Sequence, residues 1–169
     1  MIEQNPLRDA GPALSVAAIE ALEQRLGASL PEDYRQFLLE CNGGTPMRAA
    51  FRPRADDGDD DEEFWVDYFY RIDDHLAGPA SDAAPGTLAF WREVLRGYLP
   101  PDAIPVACVA RDSFWLLFLR GPRRGEVHLV DWDEVAESGE ERSPEDLEAA
   151  MHLVAGSFGE AFGKLYASD

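Results

Sequence analysis

The chain has 169 residues, of which 33 are acidic and 15 are basic, so its formal net charge is -18 and its pI is about 4.4. A chain of this length can bury roughly two thirds of its surface, enough for one domain (1–169) without a disulfide or a metal. The negative charge argues against binding to nucleic acid or an anionic membrane, and it favours basic protein partners. No apolar run is long enough to span a bilayer and no signal-peptide pattern is present, so we expect a cytoplasmic protein.

The N-terminal part of the sequence predicts two helices. The first begins after Ser15, a favourable N-cap, and ends at Gly27, with Ile19, Leu22 and Leu26 on one side. The second spans residues 31–41, with a proline at its first position and two acidic residues at the positive end of the helix dipole. Its buried face is expected to consist of Tyr34, Phe37, Leu38 and Cys41. Residues 42–44, Asn-Gly-Gly, suit the turn that follows.

The middle of the sequence predicts an antiparallel sheet. Residues 49–52 and 64–72 form an expected hairpin, and the second of these runs alternates apolar and polar residues. A helix capped by Thr87 and closed by Gly97 follows, carrying Leu88, Trp91, Val94 and Leu95 on one face. Three apolar runs, 104–110, 113–120 and 126–132, have the spacing of an antiparallel meander. In the middle run, alternate residues on both sides of the strand are apolar, as expected for a strand covered on both faces.

Helix starts at Ser143 and Ser157 complete the chain, so the expected fold is α+β, with an antiparallel sheet of about four to six strands packed with helices. Cys41 and Cys108 lie in apolar runs without a CxxC partner. They are expected to be buried, reduced thiols.

A dense acidic segment interrupts the predicted hairpin. Seven of its eight residues are carboxylates: Asp56, Asp57, Asp59, Asp60, Asp61, Glu62 and Glu63. Burying such a segment would cost too much desolvation energy, so we expect a solvated loop at the hairpin tip. It does not fit the calcium-loop template, because Gly58 is preceded by the wrong residues at two ligand positions. A solvated loop is therefore favoured over a metal site, and a role in protein binding is compatible with either.

The sequence offers no pattern for catalysis or for a cofactor. The three histidines are scattered outside any zinc-binding spacing, and the glycine-rich turns lack the lysine of a phosphate-binding loop. We therefore expect no catalytic residue, no metal and no cofactor. More informative is the mixture of acidic and aromatic residues at predicted strand ends, which suits a surface that receives basic and aromatic side chains. These residues are Asp67, Tyr68, Asp131, Trp132 and Asp133.

The helix at 31–41 and the turn after it resemble the signature of the SUKH superfamily, which includes fungal cell-wall assembly regulators and many bacterial toxin-immunity proteins. The motif residues are Leu30, Pro31, Asp33, Tyr34, Phe37, Leu38, Asn42, Gly43 and Gly44. Residues 99–107, 125–133 and 154–158, with Leu165, resemble the later blocks of the family in the same order. The blocks mark a fold and no catalytic site.

The resemblance implies a non-enzymatic domain that acts as an immunity protein and blocks a cognate toxin by direct binding. A toxin that acts on nucleic acid needs a basic groove, which an acidic protein can approach and occupy. Two alternatives remain at this stage: a regulatory or scaffold module like the fungal relatives, and an enzyme or small-ligand binder that uses a cleft in the sheet. The expected partner-binding residues are the seven carboxylates of 56–63 and the five acidic and aromatic residues at strand ends. The sequence leaves the oligomeric state open.

Overall fold

The computed structural model describes residues 3–53, 62–73, 86–110, 112–137 and 144–168. Within these ranges the chain forms eight strands and six helices, which confirms the expected α+β fold. In chain order they are β1 (Leu7–Arg8), α1 (Val16–Leu26), α2 (Glu32–Glu40), β2 (Thr45–Pro46), β3 (Ala50–Phe51), β4 (Phe64–Phe69), α3 (Leu88–Val94), β5 (Ala103–Val109), β6 (Phe114–Phe118), β7 (Val127–Val130), α4 (Trp132–Glu137), α5 (Pro144–Ala149), β8 (Met151–Ala155) and α6 (Phe158–Gly163).

The main sheet has six antiparallel strands in the order β3-β4-β5-β6-β7-β8, and β1 pairs with β2 in a small second sheet. The predicted hairpin is present, because Ala50 lies opposite Trp65 and Phe51 opposite Phe64. The predicted meander is also present as β5, β6 and β7. The sequence analysis missed β8, a short strand that directly follows a six-residue helix.

Strand β6 lies at the centre of the molecule, and both of its faces are buried as predicted. Trp115 and Leu117 face one side, the helical face, where α1, α2 and α6 pack. Phe114, Leu116 and Phe118 face the other side, the second face, together with apolar residues of α3, α4 and α5. The sheet is thus the middle layer between two helical layers.

The first two helices form as predicted, with one difference at Pro31. Ser15 caps α1, since its Oγ accepts a hydrogen bond from the backbone N–H of Ala18 at 3.2 Å, and Gly27 ends the helix with φ 62°. Pro31 is the N-cap of α2 and not its first helical residue. An extended residue before the helix accommodates its ring equally well, and its φ is -55°.

The turn after α2 contacts the end of β4 closely. The Asn42 carboxamide donates to the backbone oxygen of Ile72 and accepts from its N–H, both at 2.8 Å. Gly43 has φ 69°, and a Cβ placed there would lie 2.7 Å from the Phe69 carbonyl oxygen. A larger residue therefore cannot occupy this position without moving β4. The turn joins α2 to the sheet.

A β-bulge in β4 corrects the predicted alternation. Val66 lies opposite Val109 and Tyr68 opposite Cys108, so Asp67 is an extra residue between two paired positions. Beyond the bulge, the residues that face the helices change from even-numbered to odd-numbered positions. Phe69, expected on the less buried side, is 1% exposed, and its ring centroid lies 5.4 Å from that of Phe37 on the helical face.

Three side chains differ in placement from the expectation. Val94 is 50% exposed and does not belong to the buried face of α3, because the helix ends there. Trp132 does not end a strand but begins α4. Cys108 is half-buried, whereas Cys41 is buried as expected, and both are free thiols.

Replacement of Phe37 by alanine should destabilise the fold by about 3–5 kcal/mol, because the ring is 1% exposed and its loss leaves a cavity. Chemical denaturation measures this. The matched control is Gln36→Ala, an exposed change on the same helix that should stay within about 0.5 kcal/mol of wild type. A loss below about 1 kcal/mol for Phe37→Ala would contradict the packing described.

Both cysteines should react slowly in the native protein. Burial raises the pKa of the Cys41 thiol to about 12, and it also raises the pKa of Cys108. Since the thiolate is the reactive form, Cys41 should label with a disulfide reagent at least about a hundredfold more slowly than in denaturant. Cys108 should react at an intermediate rate, and the Cys108→Ser variant separates the two signals. Rapid native labelling of Cys41 would show that the end of α2 opens readily.

Candidate partner-binding surface

One end of the sheet collects three chain segments that are far apart in sequence. Tyr68, Cys108, Phe114 and Val130 lie opposite one another in a row across β4, β5, β6 and β7. Because the strands are antiparallel, the segment entering β4, the β5–β6 turn and the β7–α4 junction all lie beyond the same end of this row. Neighbouring strands are about 4.8 Å apart, so the row itself spans roughly 15 Å across the four strands.

The three segments carry mostly carboxylates, and we call this region the acidic end. It comprises Glu62, Glu63, Asp67, Asp112, Asp131, Asp133 and Glu134. The expected partner-binding residues Asp56, Asp57, Asp59, Asp60 and Asp61 lie outside the described residues. The predicted residues that are described therefore meet at one end of the sheet, although they come from two distant parts of the sequence.

Several arginines at the opposite end of the strands are bound to backbone oxygens. Arg71 donates to the carbonyl oxygen of Asp9. Arg120 donates to the carbonyl oxygens of Leu26 and Gly27 at the C-terminal end of α1, a favourable position for a cation. These two guanidinium groups therefore lie away from the acidic end, at the end of the strands where Asp102 and Glu126 precede β5 and β7.

Glu63 has a role within the fold. Its carboxylate accepts hydrogen bonds from the Tyr166 hydroxyl at 2.5 Å and the Ser168 hydroxyl at 2.7 Å, and Arg52 lies 3.7 Å away. These hydrogen bonds, with a smaller contribution from Arg52, lower the pKa of Glu63. Glu63 therefore ties the C-terminal segment to the edge strand β3.

Asp131 is also structural in part. It is 6% exposed, and its Oδ1 accepts a hydrogen bond from the Asp133 backbone N–H at 2.9 Å, which caps the start of α4. Burial raises its pKa, and the backbone hydrogen bonds it accepts oppose that effect. The next residue, Trp132, is half-buried, with its ring centroid 5.9 Å from that of Phe114. Asp133 is exposed.

Beside the acidic end, the second face of the sheet is incompletely buried at β4 and β5. Trp65 is 38% exposed there, Tyr68 and Cys108 are half-buried, and Asp67 is exposed. We call these four residues the open face. It joins an aromatic surface to carboxylates, the combination expected from the sequence.

Sequence reasoning placed some of these residues and missed others. Trp65, Asp112 and Glu134 were not among the expected partner-binding residues. The alternation in the sequence could have identified Trp65, since it places this residue on the less buried side of the predicted strand. Asp112 and Glu134 could have been found from the meander, which places the β5–β6 turn beside the end of β7. Asp112 adopts φ 60° in that turn.

The described ranges contain no group of three or more metal-ligating side chains close enough to hold an ion. None of the helices in those ranges is both long and apolar enough to cross a membrane.

The SUKH-like motif residues form the packed side of the molecule, away from the open face. Asp33 accepts a hydrogen bond from the Gly159 backbone N–H at 2.6 Å, which links α2 to the start of α6, and the Tyr34 ring meets that of Phe158 at 4.8 Å. No curated protein matches this sequence. The family model that describes the SMI1 / KNR4 family (SUKH-1) matches residues 13–164. The chain therefore belongs to the SMI1 / KNR4 family (SUKH-1).

Proposed function

We propose that this chain is a non-enzymatic binding domain that acts in the cytoplasm as an immunity protein and neutralises a cognate toxin by direct association. The proposed partner is a basic toxin domain that acts on nucleic acid. The observation that carries the proposal is the acidic end of the sheet, where three segments present carboxylates beside the exposed ring of Trp65 and the half-buried rings of Tyr68 and Trp132.

The electrostatics support a basic partner. A net charge of -18 creates a field that speeds the approach of a positively charged protein and repels nucleic acid. Arg71 and Arg120 lie at the other end of the strands, where their charges do not neutralise the carboxylates of the acidic end. A nuclease groove binds phosphate through basic side chains, so a carboxylate surface is complementary to it.

The aromatic residues support a specific complex in addition to attraction. Interface energy is concentrated in a few aromatic and arginine residues that are shielded from water. Trp65 and Tyr68 on the open face are accessible, and Trp132 lies half-buried across the row. We infer that the carboxylates increase the association rate and that the rings slow dissociation.

Removing exposed charge from the acidic end should slow association. The variant carries Asp112→Asn, Asp133→Asn and Glu134→Gln, and the partner to use is the toxin domain encoded beside this chain in its genome. In stopped-flow measurements at low salt, its association rate should fall about three- to tenfold, and the difference from wild type should shrink as salt rises. Replacing Asp59, Asp60 and Asp61 by asparagine should act in the same direction.

The matched control removes the same three charges elsewhere, with Glu3→Gln, Glu20→Gln and Glu32→Gln, all exposed on the other side of the sheet or near the N-terminus. It should slow association less than the first variant does. Equal effects of the two variants would mean that only net charge matters. That result, or a toxin that remains active when mixed with an excess of wild-type protein, would contradict the proposal.

Replacing an exposed aromatic residue by alanine should increase the dissociation rate of the complex. Trp65→Ala should raise the dissociation rate about tenfold and change the association rate little, because a buried interface ring contributes mainly after docking. Met47→Ala is the matched control, since Met47 is 53% exposed and lies outside the open face. Surface plasmon resonance gives both rates. A dissociation rate unchanged by Trp65→Ala would place the interface elsewhere on the molecule.

A further inference from the structure

The β-bulge in β4 places one carboxylate on the open face in an unusual environment. Asp67 is the extra residue between Val66 and Tyr68, and bulges commonly redirect a side chain at a functional position. Trp65 and Asp67 are two residues apart and share a face of β4, and Tyr68 lies opposite Cys108, which itself lies opposite Phe114 of the second face. The bulge therefore directs Asp67 toward the aromatic part of the open face.

Asp67 has no hydrogen-bond or ion-pair partner within the described part of the chain, unlike several carboxylates of the acidic end. Glu63 is bound by Tyr166 and Ser168, and Asp131 caps α4. Glu134 lies 3.0 Å from the His152 ring nitrogen. Burial by surrounding atoms raises the pKa of Asp67, and no hydrogen bond or cation opposes that rise. Asp67 is exposed and has no cation beside it among the described residues, so its carboxylate is accessible to an incoming cation.

The groups around Asp67 are aromatic and neutral. Tyr68 follows it directly and Trp65 lies two residues before it on the same face, and the Tyr70 ring stacks on Trp91 with the centroids 5.7 Å apart. The indole N–H of Trp91 is buried and has no hydrogen-bond partner among the described residues. These rings provide flat surfaces beside a single negative charge.

We propose that Asp67, with the rings of Tyr68 and Trp65, binds the guanidinium group of an arginine side chain on the protein partner. The inference rests on the proposed function and names the partner group that the open face recognises. A guanidinium donates hydrogen bonds to a carboxylate in its own plane and stacks on aromatic rings, so it uses both features of this surface.

Other cations fit this surface less well. A lysine ammonium is strongly hydrated and does not stack as a plane, so it would gain less from the rings. Calcium and magnesium take six or more oxygen ligands, and the described ranges place no third His, Cys, Asp or Glu close enough to Asp67 and Cys108 to hold a metal ion. The geometry therefore favours a planar cation.

The experiment uses the peptide acetyl-Gly-Arg-Gly-amide as the probe and the full chain as the receptor. NMR titration of ¹⁵N-labelled protein at low salt should show saturable shifts at residues 65–68 and 107–109, with a dissociation constant on the order of 1–10 mM. The same peptide with citrulline, which is uncharged and has a similar shape, should give no saturable shifts there. The lysine peptide should bind several-fold more weakly than the arginine peptide.

The variant Asp67→Asn preserves the shape of the side chain and removes its charge. It should weaken the arginine peptide about tenfold or more, whereas Asp112→Asn, an equal charge change in the neighbouring turn, should alter the affinity less than about twofold. Tyr68→Leu should also weaken binding of the arginine peptide. An unchanged spectrum of the remaining residues verifies that each variant is folded.

Several outcomes would overturn the inference: no saturable shift at residues 65–68 for the arginine peptide, equal affinities for arginine and citrulline, or unchanged affinity in Asp67→Asn. The toxin measurements are independent of these. If the arginine peptide binds as expected and no toxin is neutralised, the proposed function fails while the guanidinium site stands. If the toxin is neutralised and Asp67→Asn binds it as wild type does, the guanidinium site fails alone.

Discussion

The double hydrogen bond between the Asn42 carboxamide and the Ile72 backbone is the constraint on which the arrangement of helices and sheet depends. It attaches the end of α2 to the chain just beyond β4, and the absence of a side chain at Gly43 lets the two backbones approach. Phe37 is thereby held against Phe69. An unsatisfied amide at this buried place would cost more than the bond itself contributes, so the pairing selects one arrangement.

Because α2 is attached in this way, one face of the sheet packs against helices and part of the other is accessible to a partner. The helical face is filled by rings of α2, β4, β6 and α6, including Phe158 only 5.0 Å from Phe37. The family motif residues belong to this packed side. The second face is covered by α3, α4 and α5 over its centre and is open near β3 and β4 within the described residues. Residues that hold the fold and residues that could meet a partner therefore barely overlap, and the exceptions are Glu63 and Asp131.

Sequence reasoning succeeded where local signals agree with tertiary packing. The caps at Ser15, Thr87 and Ser157 and the two-sided apolar run of β6 are as expected, because a cap depends on neighbours in sequence and a fully apolar run has one way to be buried. The bulge at Asp67 could not be read from the alternation, since it arises from the register between β4 and β5. For the same reason the expected site did not include Trp65, whose exposure depends on where the helices of the second face end.

The residues near the C-terminus protect the edges of the sheet from pairing with the strands of other chains. Tyr166 pairs through its backbone with Ala50 on the outer side of β3, and Glu63 fixes that segment in place. At the opposite margin, the Lys164 ammonium donates to the Val154 carbonyl oxygen of β8 at 3.0 Å. Free strand margins template the pairing of further chains into fibrils, and an extra backbone segment or a lysine at the margin discourages it. The C-terminal segment thus protects both edges of the sheet. It thereby helps this aromatic-rich protein to resist aggregation at high concentration.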